Sequence, residues 1–310
     1  MSDLVELEEP PAPSTSSREE IRRISNGARA RRVAISRAMV ILCGVALCIA
    51  AVPLVLLLFQ LIDKGASQID WTFFTKLPTT PTVTAPNATG GISNAIVGTI
   101  ALTIYASILA IPIGVMVGVY LAETNSKFAT SLRVIAQTMA GAPSILMGLF
   151  AFSFIVHDLN VGFSAIAGSF ALAVLMLPVI IISTEIAVRN VPNSLREAGL
   201  ALGAKPHKVS TQVILPSAVS GIVTGVILAI SRAVGETAPV LLVISGGFTN
   251  SWQPFDPVSA MPLAIFENAK SEWPSQRAQV WGIALVLVAF VFVLSLTARI
   301  WASRKQQVRN

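Results

Sequence analysis

Six long apolar stretches, at Ala38–Ile62, Asn94–Ala122, Val134–Val156, Gly162–Thr184, Val219–Ser245 and Val280–Trp301, constrain this chain more than any other feature. Each exceeds the roughly 20 apolar residues that a helix needs to cross the hydrocarbon core of a bilayer. In lipid every backbone N–H and C=O must be satisfied internally, so spans of this kind are helices or closed barrels. Alternation of apolar and polar residues is absent, which argues against a barrel. With 54% hydrophobic and 12% charged residues, the 310-residue chain has too little polar surface to cover a water-soluble globule. The expectation is an all-α integral membrane protein with six transmembrane helices.

The net charge of +6 is explained by where the cations fall. Seven Arg precede the first span: Arg18, Arg22, Arg23, Arg29, Arg31, Arg32 and Arg37. Threaded alternately from an inside N-terminus, the spans leave seventeen Lys and Arg inside and four outside, with Arg232 alone within a span. That bias follows the positive-inside rule and places both termini in the cytoplasm. The basic tail has no interleaved aromatics, which disfavours nucleic acid as its partner. Residues 1–37 are expected to be a disordered basic cytoplasmic tail, with residues 1–20 rich in Glu, Pro and Ser. Residues 38–301 form the transmembrane domain, and residues 302–310 a second cytoplasmic tail. The first span is an uncleaved anchor, because a long polar segment precedes it.

Cys43 and Cys48 both lie in the first span, where neither a disulfide framework nor a metal site is expected. They are assigned to packing. The outer connections Asp63–Ser93 and Gly246–Gln279 carry Pro, Asn, Thr and Trp, pointing to ordered loops or short surface helices. Two His residues, neither at nucleophile or metal-ligand spacing, leave little from which to build an active site.

The long connection between spans four and five, residues 185–218, has the pattern of a helical hairpin. Ser194 and Glu197 match a Ser-x-x-Glu capping box. Leu195, Ala198, Gly199 and Leu202 follow at i, i+3, i+4 and i+7, giving a narrow face of small side chains. Gly203 ends this helix, and Pro206 starts a second that runs to Leu215–Pro216.

Glu197-Ala198-Gly199, three spacers, Gly203, nine spacers, Val213-x-Leu215-Pro216 resembles the EAA signature of permease subunits of ATP-binding-cassette importers. Gly199 stands for the third residue of the signature and Val213 for Ile; all spacings hold. The resemblance implies a six-transmembrane-helix importer permease fold with a cytoplasmic coupling hairpin. It gives Glu197, Ala198, Gly199, Gly203, Leu215 and Pro216 a role in coupling to a separate ATPase. The chain contains no Gly-x-x-x-x-Gly-Lys-Ser/Thr phosphate loop, so ATP and Mg are assigned to that partner and this chain to transport without catalysis or a cofactor of its own.

Span five carries Arg232 near its middle, with Glu236 four residues on. An Arg at the centre of a span costs roughly 2.5–3.5 kcal/mol on insertion scales, so such a residue faces an interior or a pathway. At i, i+4 the two side chains share a helix face and can pair, and that face otherwise bears Gly221, Gly225, Leu228, Gly235 and Pro239. Pro239 removes the N–H that the Gly235 carbonyl would accept, predicting a kink beside the pair. A fixed guanidinium fork suits the oxygens of an oxyanion. Arg232, Glu236, Thr237 and Ser144 are therefore the candidate substrate path, although the ion pair also fits a purely structural role. His157 and Asp158 are assigned to the interface. Gly114-x-x-x-Gly118 and Gly221-x-x-x-Gly225 suit close helix packing, and Glu185 with Arg189 suits a structural lock.

Arg232-Ala-Val-Gly235-Glu236-Thr237-Ala238-Pro239 is similar to a segment of the phosphate-specific importer permeases, of the PstA kind more than the PstC kind. Gly90-Gly91-Ile92-x-Asn94-Ala95-Ile96-x-Gly98-Thr99 and Ala142-Pro143-Ser144-Ile145-x-x-Gly148-Leu149-Phe150 extend the likeness over about residues 90–245. It implies phosphate uptake with a second, PstC-like permease, a pair of PstB-like ATPases and an external PstS-like binding protein. Sulfate or molybdate as cargo, or an ion-coupled secondary transporter, are the alternatives.

Overall fold

The computed structural model describes residues 15–88 and 90–307. It divides into two compact units, residues 1–60 and 61–310. The first consists of most of helix α1 (Thr15–Ala66). Its apolar side chains, among them Val40, Leu47 and Phe59, are exposed, as on a rod meant for lipid. The segment from Thr15 to Arg37, expected to be disordered, is part of this helix, because its Arg- and Ala-rich sequence favours helix and contains no Pro. The first fourteen residues of that expected tail lie outside the described residues. Cys43 and Cys48, assigned above to packing, are exposed on α1.

The second unit is built from α2 (Trp71–Thr75), α3 (Ser93–Glu123), α4 (Lys127–Gly141), α5 (Ser144–Ala151), α6 (Ala165–Arg189), α7 (Asn193–Ala201), α8 (Pro206–Val209), α9 (Leu215–Val234), α10 (Ala238–Leu241), α11 (Met261–Ala269) and α12 (Pro274–Gln307). Five helices, α1, α3, α6, the run Pro206–Val234 and α12, are long and apolar enough to cross a membrane. A bent pair, α4 with α5, makes a sixth if counted as one span. This is the architecture of a multi-pass membrane protein. Helix α12 runs on to Gln307, so most of the expected C-terminal tail is helical.

Helix α6 is the axis of the bundle. On one side α3 lies against it through Gly114 and Gly118, where an added Cβ would meet Ile180 and Thr184. On another side α9 lies against it through Gly221 and Gly225, where a Cβ would meet Ala187 and Ser183. Both small-residue pairs thus let backbones approach closely in an apolar setting. The core between these helices is Leu102, Ala106, Ala110, Leu172, Met176, Ile180, Ala229 and Ala233, all buried. Two smaller clusters close the ends. One joins Phe73 of α2, Met261 of α11 and Ile283 of α12, and the other joins Val188, Val209, Ile214 and Ala218 around the hairpin.

Two expected spans are not single helices. The third breaks at Ala142–Pro143 and turns by 106° between α4 and α5. Pro143 supplies no N–H and forces the preceding Ala142 into extended geometry, so the ladder cannot continue. Beyond Ala151, α5 widens into π-helical turns over Phe152–Asp158. The fifth span ends at Val234, and the chain resumes a helix at Ala238, with Pro239 in its first turn. The predicted kink beside Pro239 is therefore a complete break.

The hairpin differs in two details. Helix α7 starts at Asn193 behind Pro192, one residue before the expected Ser194 cap, and no capping hydrogen bond forms. Pro192 occupies the cap position, which puts Ser194 inside the first turn, where its hydroxyl is not placed to cap. The second helix does not stop at Leu215–Pro216. Its turns widen over Ser210–Ile214 and it runs without a break from Pro206 to Val234. Both expected outer segments contain short helices, α2 in the first and α11 in the second.

Candidate functional site

The two helix breaks meet. A Cβ on Gly148 of α5 would strike the backbone of Pro239 in α10, at 2.5–2.6 Å from its Cα and carbonyl oxygen. Helix α10, directly after the α9–α10 break, therefore seats on the middle of α5. Arg232, in the last turn of α9, lines a narrow cleft with Met139, Ala140 and Ala142 of the α4–α5 break, Met147, and Leu175 and Pro178 of α6. The cleft has room for about one water molecule.

Arg232 and Glu236 pair as their spacing predicts, through one contact of 3.3 Å from Nε to Oε1. The Arg232 side chain is 45% exposed and that of Glu236 19% exposed. Among the described residues neither terminal nitrogen of the guanidinium has a hydrogen-bond partner, and one long contact holds the fork weakly. Thr237 immediately precedes α10, and Ser144 opens α5 just after Pro143. Neither hydroxyl has a side-chain hydrogen bond among the described residues, so both remain available at the junction of the breaks. Arg232 and Glu236 are in contact, Thr237 belongs to the same break, and Ser144 opens the helix α5 that packs on α10 but does not line the Arg232 cleft.

The candidate coupling residues lie on and beside an exposed helix. No residue of α7 is buried. Glu197 and Ala198 are exposed, Leu195 and Leu200 are more than 40% exposed, and Leu202 is 87% exposed. Gly199 faces inward, where a Cβ would lie 3.0 Å from the Val209 side chain. Its size is what lets α7 close on the second arm. Gly203 makes the turn in a left-handed conformation, φ +77°, which a Cβ would strain. Leu215 and Pro216 are half-buried at the start of α9. The hairpin is thus a small rigid body with an unpartnered apolar edge.

Sequence reasoning missed most of the charges that fasten the hairpin end. Glu185 and Arg189 pair as expected, Nε to Oε1 at 3.0 Å, but Arg133 of α4 also donates to the same Oε1 at 2.8 Å. Both guanidiniums then donate through Nη2 to the Leu121 carbonyl, at 3.2 and 3.1 Å. That carbonyl is among the last of α3, where intrahelical donors run out, and cations complement the negative end of the helix dipole. Two residues further on, Glu123 accepts both terminal nitrogens of Arg196 of α7 in a bidentate pair, one of them at 2.6 Å. The Glu123 carboxylate pushes the Arg196 pKa up from its ordinary value, against a smaller opposing effect of burial. A charged residue at a predicted span end was the available signal; its partner, 73 residues away, was not. His157 and Asp158 lie exposed at the end of the π-turns and pair at 2.9 Å.

Residues 110–307 match the family described as binding-protein-dependent transport system inner membrane component. The phosphate transport system permease protein PstA of Xylella fastidiosa (strain Temecula1) is 38% identical over 241 residues, 77% of this chain and 82% of its own length. That of Haemophilus influenzae is 36% identical over 252 residues, 81% of this chain and 87% of its own length. The chain belongs to the binding-protein-dependent transport inner-membrane components, in their PstA family. The fold agrees. An inward-facing structure of the MetNI methionine ABC transporter superposes with a TM-score of 0.57 at 21% identity, covering 68% of this chain and 94% of that one. The broken third span, the hairpin and Arg232 all fall inside the region matched to the family.

Proposed function

We propose that this chain is one of two permease subunits of an ATP-driven importer of inorganic phosphate. In this account Arg232 contacts the anion, and the α7–α8 hairpin receives the stroke of a separate ATPase. The observation that carries it is the state of Arg232. This cation, placed at a break between membrane helices, has a single long contact to Glu236 and points into a cleft where a second helix break begins. A guanidinium left partly free in a low-dielectric setting favours a tetrahedral oxyanion, which it can grip with two nitrogens at once. Ser144 and Thr237 supply hydroxyls at the same junction, and Glu236 keeps the site from holding the anion too tightly.

The partners follow from what this chain lacks and what it presents. One guanidinium is a modest anion site, so a second permease supplies further basic contacts across the path. The exposed edge of α7 fits a groove on a cytoplasmic ATPase, two copies of which bind ATP and Mg. An external phosphate-binding protein delivers cargo to the side bearing α2 and α11. Both termini are cytoplasmic, in keeping with the excess of cations on that side. ATP binding closes the ATPases, displaces the hairpins and opens the path outward.

The test is uptake of radiolabelled phosphate and of sulfate in cells lacking this chain alone. Loss of phosphate uptake with sulfate uptake intact is expected. Loss of sulfate uptake instead would transfer the cargo to another oxyanion, and, in cells that carry the chain, phosphate uptake that persists without ATP but collapses with the ion gradient would replace the mechanism with secondary transport.

A further inference from the structure

The structure assigns to the Arg196–Glu123 pair the job of joining the coupling hairpin to helix α3, so that α3 carries the hairpin's displacement to the far end of the bundle. This assignment rests on the proposal that α7 docks the ATPase. Three observations carry it. First, α7 rests mainly on the second arm of its own hairpin, and that arm is the one anchored on α6 and α3 through Val209 and Ile214. Helix α7 packs on α8 and on the π-turns that follow, with Gly199 against Val209, and none of its residues is buried. Arg196 ties α7 itself to the end of α3, 73 residues earlier in the chain, by a polar contact beside the apolar packing of the second arm on Val119 and Ala122.

Second, the contact is built to carry load. Two guanidinium nitrogens meet two carboxylate oxygens, a geometry that resists twisting as well as pulling. Glu123 is also the last residue of α3, where the helix dipole disfavours an anion. A carboxylate in that place costs stability unless a cation answers it, and Arg196 does. The neighbouring Leu121 carbonyl, clasped by Arg133 and Arg189, ties the same helix end to α4 and α6.

Third, α3 is continuous from this joint to the other end of the bundle. It runs for 31 residues, about 46 Å at 1.5 Å per residue, and remains helical through Pro112. At its far end the Asn94 side chain donates to the Gly247 carbonyl at 2.6 Å, and the Thr99 hydroxyl accepts the Met261 N–H at 2.9 Å in a buried bond. Gly98 lets the Ser259 carbonyl approach so closely that any Cβ would collide with it. A shift of α3 along its axis therefore moves the segment that leads into α11. Rigid helices with discrete contacts at both ends are the elements through which small displacements propagate.

The experiment uses the complete importer, with partner permease, ATPases and binding protein, in proteoliposomes. Phosphate moved per ATP hydrolysed is measured for Glu123→Gln, for Arg196→Gln and for the exchange Glu123→Arg with Arg196→Glu. Each single variant should retain the ATPase on purification and hydrolyse ATP, while phosphate moved per ATP falls by at least about fivefold. The exchange should recover most of the loss, because the pair is restored in reverse. A merely structural pair would lower the yield of complex and leave the ratio alone. An unchanged ratio in the single variants, or a lowered ratio that the exchange does not improve, overturns the joint. Leu202→Asp, on the exposed edge of α7, tests the premise separately: it should release the ATPase, and an ATPase that stays bound would overturn the docking proposal itself.

Discussion

At the hairpin end of the bundle Glu185 is clasped by Arg133 and Arg189, whereas at the α9–α10 break Arg232 meets Glu236 through one contact of 3.3 Å. The residue types are the same and the settings are not. Glu185 is 9% exposed, shares one oxygen between two guanidiniums, and each of those guanidiniums also donates through Nη2 to the Leu121 carbonyl. Arg232 is as exposed as Arg189, but it lines a cleft and is held by one carboxylate contact longer than either of those at Glu185. A buried carboxylate held by two guanidiniums that also share a helix-end carbonyl fixes helices together, while a pair joined by one long contact beside a cleft can bind a third party. The comparison separates fastening from function within one chain.

Removing the centre of the fastened cluster should give the largest effect on stability. Glu185→Ala leaves two partly exposed guanidiniums facing each other without their anion and should cost about 2–4 kcal/mol, at or below the lower part of the range for breaking a fully buried pair. Thermal unfolding of the purified complex in detergent checks it. Next comes Gly148→Leu, which alters no charge but drives a side chain into the Pro239 backbone. It should cost about 1–3 kcal/mol through overpacking and lower phosphate uptake by displacing the α9–α10 break under Arg232.

Lysine replacements sharpen the contrast more directly. Arg232→Lys keeps the charge and loses the planar fork, so uptake should fall by about tenfold with the unfolding temperature nearly unchanged. Arg189→Lys should do the reverse, lowering the unfolding temperature while uptake per assembled complex stays within about twofold. Equal behaviour of the two variants would erase the distinction. The smallest effect is expected at Asp70, remote from both clusters, which caps α2 by accepting the Phe73 N–H at 2.6 Å. That bond, with a further one from the Thr72 hydroxyl, holds its carboxyl below the usual 3.8. Its contribution is present above 3.8 and lost as pH falls through the lower folded value, so Asp70→Asn should flatten only the acid limb of a stability profile, below about pH 4.

How much of this was legible in the sequence depends on range. Apolar runs announce spans because lipid imposes the same requirement on every residue of a run, and Gly203 with Pro206 announces a hairpin because the chemistry is local. The pairing of Arg232 with Glu236 is visible for the same reason. The break at Ala142–Pro143 was signalled by its proline but hidden by the apolarity of the stretch around it, which averages over a helix and its interruption alike. Arg133 on Glu185 and Arg196 on Glu123 join residues 52 and 73 apart, and no local pattern chooses such partners. The helical state of residues from Thr15 onward was obscured by their charge, which speaks to solvation more than to backbone conformation.

The central claim is that Arg232 contacts the transported anion. Radiolabelled phosphate uptake by cells carrying Arg232→Gln, with assembly of the complex verified by co-purification of the ATPase, tests it most directly. Uptake should fall to the level of cells lacking the chain while the complex remains intact. Phosphate uptake at the normal rate by the assembled Arg232→Gln importer would contradict it.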